Sequence, residues 1–222
     1  MVEVVAAGEI LVDMIPTEVG DYRRVTTFTR NFGGAPFNYA VAMRRLGHTV
    51  GAVCAVGNDP FGDFLLDVLA REGIDTSMVR RVDRRTTLAF VVRYEGGERD
   101  FFFYREPWAP TADTMIEGVD LDYVRGARIL HFSGVALSHE PARGTIMSMA
   151  RAAREAGGMV SFDPNLRWDL WPDRGQLRSA YDGAFRVSDV VLLARDEAEA
   201  LFGTADPRIA AERVLELSLI HI

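Results

Sequence analysis

Short apolar runs alternate with amphipathic segments along most of the chain. Residues 2–7 and 49–56 are nearly continuous apolar runs, which are typical of strands buried on both faces of a parallel sheet. Apolar residues then recur at helical spacing, as from Phe61 to Leu69. Because this strand-then-helix order repeats, the pattern predicts an α/β fold, with a doubly wound, mostly parallel sheet flanked by helices on both faces.

Turn and capping residues set the boundaries of the remaining predicted elements. Asp59 and Pro60 are typical of a helix start, and Gly47, Gly73 and Gly203 are typical of helix ends. The sequence predicts helices at 38–46, 60–72, 140–156, 176–187, 196–201 and 207–217, and further strands at 127–133, 159–162 and 190–193.

A hairpin interrupts this alternation. Residues 86–94 and 99–104 are strand-like and are joined by Glu-Gly-Gly-Glu, a hairpin signal. We expect one α/β domain over residues 1–222, with a protruding β lid built from about 14–30 and 86–105. The hairpin strands are apolar for an exposed flap, so they cover a ligand, a second subunit or their own domain.

Composition narrows the function. The chain has 222 residues, 48% of them hydrophobic, and a net charge of −7, which argues against a nucleic-acid surface. The single cysteine, Cys54, lies in an apolar run; it suits a buried, inert thiol in a reducing compartment, and we expect a cytoplasmic protein. No signal peptide or membrane-spanning run is predicted, and the four histidines lack metal-ligand spacing.

The turn Asn31-Phe-Gly-Gly-Ala-Pro-Phe-Asn38 is the first candidate for function. Two glycines allow a close approach of the backbone to a ligand, and the helix that follows presents free N–H groups at its N-terminus. The same residues are equally consistent with a strand-to-helix turn that binds nothing. In an open parallel sheet, ligands bind beyond the carboxyl ends of the strands. We therefore expect Asp13, this turn, residues 162–167 and residues 196–199 to share one cleft.

The wider pattern resembles the ribokinase-like (PfkB-type) carbohydrate kinases. The N-terminal signature of that family is matched at Gly33, Gly34, Pro36, Asn38 and Gly57, and the resemblance extends over Gly8-Glu-Ile-Leu-Val-Asp13, Val56-Gly-Asn-Asp-Pro-Phe-Gly62 and Phe162-Asp-Pro-Asn-Leu-Arg167. Within the family the chain is most similar to fructokinases and 2-keto-3-deoxygluconate kinases. The resemblance implies a ribokinase-like fold and transfer of the ATP γ-phosphoryl group to a sugar hydroxyl, with Mg²⁺ as cofactor.

The resemblance also implies roles for individual residues. Residues implied to bind the sugar are Asp13, Gly33, Gly34, Asn38, Phe90, Phe103, Arg105 and Arg167. Asp163, Asn165 and Asp196 are implied on the phosphate side, and Glu199 is implied as a magnesium group acting through water. Asp196 replaces the asparagine of the family motif, so it is also consistent with a helix N-cap. Arg105 is equally consistent with a solvated charge at a strand end.

We expect the chain to be truncated, because the Gly-Ala-Gly-Asp-type motif that supplies the catalytic base and the nucleotide site in this family is absent. No catalytic residue is therefore assigned, and negligible kinase activity is expected of these residues alone. A homodimer through the lid is expected of the full-length protein. The alternatives are a 2-keto-3-deoxygluconate kinase, a non-catalytic sugar-binding module, a nucleoside kinase of the same fold, and a dinucleotide-binding domain, which would need a Gly-x-Gly-x-x-Gly turn after the first strand.

Overall fold

The computed structural model describes residues 2–94, 99–105 and 110–217. The strands in this part of the chain are β1 Val4–Ala7, β2 Leu11–Pro16, β3 Phe28–Gly33, β4 Val50–Gly57, β5 Asp75–Val82, β6 Leu88–Arg93, β7 Arg99–Phe103, β8 Ile129–Ser133, β9 Met159–Asp163 and β10 Val190–Val191. The α-helices are α1 Ala35–Arg45, α2 Pro60–Arg71, α3 Leu121–Arg125, α4 Ala142–Glu155, α5 Arg174–Val187, α6 Arg195–Phe202 and α7 Pro207–Leu217.

The main sheet confirms the predicted α/β architecture. Within the described residues it has six strands in the order β10-β9-β8-β1-β4-β5, and every pair in it is parallel. Val4 of β1 pairs with Val50 of β4 on one side and with Ile129 of β8 on the other. Strands β1 and β4 carry no polar side chain because helices cover both faces of the sheet.

Alternate residues of each central strand enter different cores. Val5 of β1 packs with Phe132, Ile146, Phe162 and other residues under α4 and α5. Val4 packs on the opposite face with Phe37, Leu65 and other residues of α1 and α2, and Cys54 is buried there as predicted. Burial raises the pKa of the Cys54 thiol, so it stays protonated and unreactive.

A small sheet packs beside the main one. Its order is β3-β2-β6-β7, in which β2 runs parallel to β6 while the pairs β2–β3 and β6–β7 are antiparallel. The hairpin turn predicted at residues 95–98, between β6 and β7, lies outside the described residues.

Two boundaries differ from those expected from the sequence, and one strand was missed. The small sheet begins at Leu11 and not near residue 14, so Asp13 lies inside β2 and not at the end of a main-sheet strand. The chain changes direction at Gly8, whose φ of 141° only glycine adopts readily.

Helix α1 begins at Ala35, three residues earlier than predicted, because Pro36 needs no N–H partner in a first turn. The polar strand β5 was missed because it lies at a sheet edge with half-exposed residues.

The helices of the described residues are all too short or too polar to cross a lipid bilayer.

Asp59 ties the start of α2 to the loop before β6. Its Oδ1 accepts hydrogen bonds from the N–H groups of Phe61 and Gly62 and from the Thr86 hydroxyl, and its Oδ2 accepts one from the Thr86 N–H. Burial by itself would raise the pKa of Asp59, but the hydrogen bonds from Thr86 and Gly62 hold it below its usual value.

We predict that Asp59→Ala lowers the free energy of unfolding by about 2 kcal/mol, because it removes a cap and leaves buried donors unpaired. Urea denaturation at neutral pH measures this, with Asp67→Ala, on the exposed face of the same helix, as the control. Because the folded-state pKa is depressed, the contribution is present above the ordinary pKa and is lost as pH falls through the lowered one. Equal stabilities of the two variants would contradict the prediction.

Candidate substrate site

A cavity of about 290 Å³ lies where the small sheet meets the carboxyl end of the main sheet. The small sheet contributes the inner-face residues Leu11, Asp13, Ile15, Val91, Phe101 and Phe103. The rest of the lining follows β1, β3, β8 and β9, and consists of Glu9, Gly34, Ala35, Asn38, Val135, Asn165 and Arg167. The cavity therefore sits where an open parallel sheet is expected to bind its ligand.

The glycine pair makes close packing possible at the centre of this site. A Cβ on Gly33 would overlap the carboxylate of Asp13, and a Cβ on Gly34 would overlap the carbonyl oxygen of Glu9. Gly34 also has a φ of 108°, which side-chain-bearing residues rarely adopt, and it is the N-cap of α1. Both glycines are therefore required, and they bring Asp13 and Asn38, in the second turn of α1, to the same cavity.

Asp13 is a carboxyl group held partly out of water. Burial raises its pKa to about 6, and no charged partner among the described residues contributes to the shift. An ionised carboxylate in this environment can accept several hydrogen bonds, and the hydroxyl groups of a polyol can donate them. The side chain of Asn38 can both donate and accept beside it.

The aromatic lining comes from alternate residues of β7. Phe101 pairs with Val91 and Phe103 with Ala89, so Phe101, Phe103 and Val91 face the cavity together. Phe90 does not line the cavity; it lies on the other face of the small sheet, with its ring centroid 5.3 Å from that of Phe28. The structure thus brings Phe103 to the predicted place and leaves Phe90 outside it.

Arg105 is also outside the cavity. Its guanidinium is fully buried and pairs with Asp113, with 2.7 Å between Nη1 and Oδ2. It also donates to the Ser138 hydroxyl and lies 3.2 Å from Nδ1 of His139. Asp113 accepts further hydrogen bonds from Thr87 and Thr111. Arg105, which we expected to contact the sugar, instead forms a buried ion pair just after the end of β7.

The turn after β9 brings Asn165 and Arg167 to the cavity. Asn165 adopts a left-handed backbone conformation with a φ of 40°, which asparagine tolerates better than most residues. The turn is held by hydrogen bonds from the Tyr181 hydroxyl to the Pro164 carbonyl at 2.7 Å and from the Gly134 N–H to the Asp163 carbonyl. The Arg167 guanidinium lies 5.3 Å from the centre of the Phe101 ring, so it links the turn to the small sheet.

Asp163 ends β9 beside a second carboxylate, that of Glu197. Burial and, to a smaller extent, the charge of Glu197 raise the pKa of Asp163 to about 6, against the opposing effects of the Asn165 hydrogen bond and of Arg167. Glu197 is buried and accepts hydrogen bonds from the N–H groups of Leu166 at 2.7 Å and Ala194 at 3.0 Å. It therefore fixes the turn of residues 163–167 to the start of α6.

The two residues predicted on α6 are placed differently from Glu197. Asp196 and Glu199 are exposed, and neither lines the cavity. No group of three or more potential metal ligands occurs among the described residues. Both oxygens of Glu197 are occupied by backbone donors, so this residue serves the turn and not the cavity.

Sequence reasoning missed Glu9, Phe101 and Glu197. Period-two alternation would have found Phe101, since it shares a strand face with Phe103. No local pattern marks Glu9 or Glu197, because their burial depends on strands and turns distant in sequence.

A larger cavity, of about 590 Å³, lies against β10, α6 and α7. Its lining is mainly alanine, valine, leucine and proline, and its polar residues are Ser188, Asp189 and Arg195. The smaller cavity brings together more acidic, amide and guanidinium groups, so we take it as the candidate site.

Known proteins resemble this chain in sequence. Residues 1–220 match the family model described as pfkB family carbohydrate kinase. The chain is 37% identical over 208 residues to a probable fructokinase-7 of Arabidopsis thaliana, covering 92% of this chain and 60% of that protein. It is 39% identical over 198 residues to fructokinase-2 of Solanum lycopersicum, covering 85% and 60%.

Solved structures share the fold. The fructokinase of Halothermothrix orenii superposes with a TM-score of 0.88 at 37% identity, covering 97% of this chain and 76% of that one. A Xylella fastidiosa fructokinase with bound ATP superposes with a TM-score of 0.83 at 31% identity, covering 98% and 70%. The chain spans about 60% of the length of the curated relatives it matches. It belongs to the pfkB family of carbohydrate kinases.

Proposed function

We propose that this chain forms the sugar-binding part of an ATP-dependent kinase that phosphorylates a hydroxyl group of fructose or a similar ketose. The observation that carries the proposal is the half-buried carboxyl group of Asp13, which lies against Gly33 in a cavity that also contains the Asn38 amide. Similarity to fructokinases, one of them solved with ATP, supports the reaction and the nucleotide.

The roles we propose follow the chemistry of the lining. Asp13 and Asn38 bind sugar hydroxyl groups, Gly33 and Gly34 give the sugar access to the backbone, and the small sheet acts as a lid whose Phe101 and Phe103 cover the apolar face of the sugar ring. Arg167 and Asn165, on the turn after β9, lie where they can orient a polar group of the substrate. Positioning of this kind accounts for much of the catalysis of phosphoryl transfer.

ATP with Mg²⁺ would supply the phosphoryl group and neutralise its developing charge. Asp163, at the end of β9, is the described acid that we propose for a contact with Mg²⁺ through water. We assign no catalytic base among the described residues.

A 2-keto-3-deoxygluconate kinase is the second candidate, and the observation that favours it is the guanidinium of Arg167 at the cavity, since a guanidinium can bind a carboxylate.

Isothermal titration of residues 1–222 with fructose tests the sugar site directly. We expect saturable binding with one site per chain, because the cavity and its polar groups are already formed in this structure. Phosphorylation assayed with ATP, Mg²⁺ and fructose is expected to be negligible for these residues alone. Absence of fructose binding would contradict the proposed function, whereas robust turnover would contradict only the expected inactivity.

Asp13→Asn should separate binding from stability. In the folded state the pKa of Asp13 is raised, so its ionised form costs stability above about pH 6, and that cost disappears as pH falls below the ordinary pKa. At neutral pH we expect the free energy of unfolding of Asp13→Asn to be about 1 kcal/mol higher than that of the unmodified chain. This value is reduced to allow for solvent screening of the partly exposed side chain.

The same variant should bind fructose roughly 100-fold more weakly, because a charge-assisted hydrogen bond is lost. Urea denaturation and titration calorimetry measure the two effects, with Asp182→Asn, exposed on α5, as the control. A variant that is less stable and binds fructose normally would show that Asp13 is only structural.

We also propose that the outer face of the small sheet forms a homodimer interface in the full protein. This face carries the aromatic side chains of Tyr22, Phe28, Phe90, Phe102 and Tyr104, which contact one another in pairs. Phe102 is 54% and Tyr104 69% exposed, which is unusual for side chains of this size in a cluster.

Phe102→Glu is expected to raise the dimer dissociation constant by about 100-fold, since it places a charge in an apolar contact. Analytical ultracentrifugation measures the constant. Leu46→Glu is the control, because Leu46 is 74% exposed at the end of α1 and lies away from this face. A protein that stays monomeric at all concentrations before mutation would refute the interface.

A further inference from the structure

The charges around the cavity are unbalanced. Of the described residues that line it, Glu9 and Asp13 are acidic and Arg167 is basic, and the others are neutral. A substrate that carries its own carboxylate would therefore be repelled by two acids and attracted by one guanidinium. A neutral polyol would not be repelled, because its hydroxyl groups can donate hydrogen bonds to the acids.

Glu9 is the more deeply buried of the two acids that line the cavity. Its side chain is 1% exposed, and its Oε2 accepts a hydrogen bond from the Ser133 hydroxyl at 2.6 Å. Its Oε1 has no hydrogen-bond partner among the described residues. A buried carboxyl group with one unsatisfied oxygen at the edge of a cavity is costly, and such groups call for an explanation in function.

A second cation of this region, Arg105, is paired with an acid of the protein itself. The guanidinium of Arg105 is 1% exposed and faces Asp113, whose side chain is fully buried. Hydrogen bonds from Thr87 and Thr111 fix Asp113 in turn. The Arg105–Asp113 pair is neutral overall. Its two opposite charges act on Glu9 in opposite directions, so the pair stabilises the ionised form of Glu9 only weakly.

We propose that Glu9 is a specificity-determining residue of the cavity, whose unpaired carboxyl group disfavours sugar acids and leaves neutral ketoses as substrates. The inference rests on the sugar-kinase function proposed above. Glu9 need not touch the substrate to act in this way. Two negative charges several ångströms apart in a partly desolvated cavity repel each other strongly enough to change an affinity on the order of tenfold or more.

The ionisation of Glu9 makes this preference depend on pH. Burial raises its pKa to about 7, the Ser133 hydrogen bond opposes that rise, Asp113 adds to it and Arg105 reduces it. Tyr181 lies close enough to be influenced by the charge of Glu9, and Asp13 lines the same cavity. Because Glu9 loses its proton as pH rises through neutrality, discrimination against a sugar acid should increase in the same direction.

The test compares two sugars that differ by one group. Fructose and 2-keto-D-gluconate have the same carbon skeleton, but the second carries a carboxylate in place of the C1 hydroxymethyl group. Dissociation constants for both are measured by calorimetry with the unmodified chain, Glu9→Gln and Glu117→Gln. Glutamine can still accept the Ser133 hydrogen bond, and Glu117, which is 50% exposed, gives the same charge change on the surface.

We expect the unmodified chain to prefer fructose, and Glu9→Gln to reduce that preference about tenfold while Glu117→Gln leaves it unchanged. In the unmodified chain the preference should also be larger at about pH 8.5 than at about pH 6, a comparison that needs no variant to fold. An unchanged ratio in Glu9→Gln, or equal affinities for the two sugars at both pH values, overturns the role of Glu9. Failure of both sugars to bind overturns the sugar site itself.

Discussion

The contact between the Asp13 carboxylate and the Cα of Gly33 is the constraint on which this site depends. It exists because β2 and β3 pair closely and because position 33 carries no side chain. The next residue, Gly34, makes a similar approach to the Glu9 carbonyl and at the same time begins α1. Two consecutive glycines therefore join the small sheet, the end of β1 and the first helix within a few ångströms.

The electrostatics of the cavity follow from this packing. Asp13, Glu9 and Asp163 all have a raised pKa, and burial is the first cause in each case. Folded proteins seldom bury ionisable acids without a functional reason, since each costs stability when ionised. Hydroxyl groups of a sugar are suited to satisfy them, while the buried pair of Arg105 and Asp113 keeps a further charge out of the cavity.

The sequence was sufficient for the fold and for part of the site. The strand–helix alternation predicted the parallel sheet. Six of the predicted site residues line one cavity, namely Asp13, Gly34, Asn38, Phe103, Asn165 and Arg167, and Gly33 lies against Asp13. It did not reveal that Asp13 belongs to the small sheet, because the turn at Gly8 interrupts an otherwise apolar run.

The misplacements have a common physical origin. Phe90 is adjacent in sequence to the cavity-facing Val91, so its side chain lies on the opposite face of β6. Because the run is apolar on both faces, its sequence does not show which residues face the cavity. Arg105 pairs with Asp113, a buried residue eight positions further along the chain. On α6 the residue that is buried and hydrogen-bonded is Glu197, and not Glu199. Each depends on a tertiary contact that local sequence does not encode.

A crystal structure of the chain soaked with fructose tests the central claim most directly. The account predicts one sugar in the cavity, with hydroxyl oxygens within hydrogen-bond distance of the Asp13 carboxylate and the Asn38 amide. A sugar bound elsewhere, with Asp13 hydrated and unengaged, would contradict it.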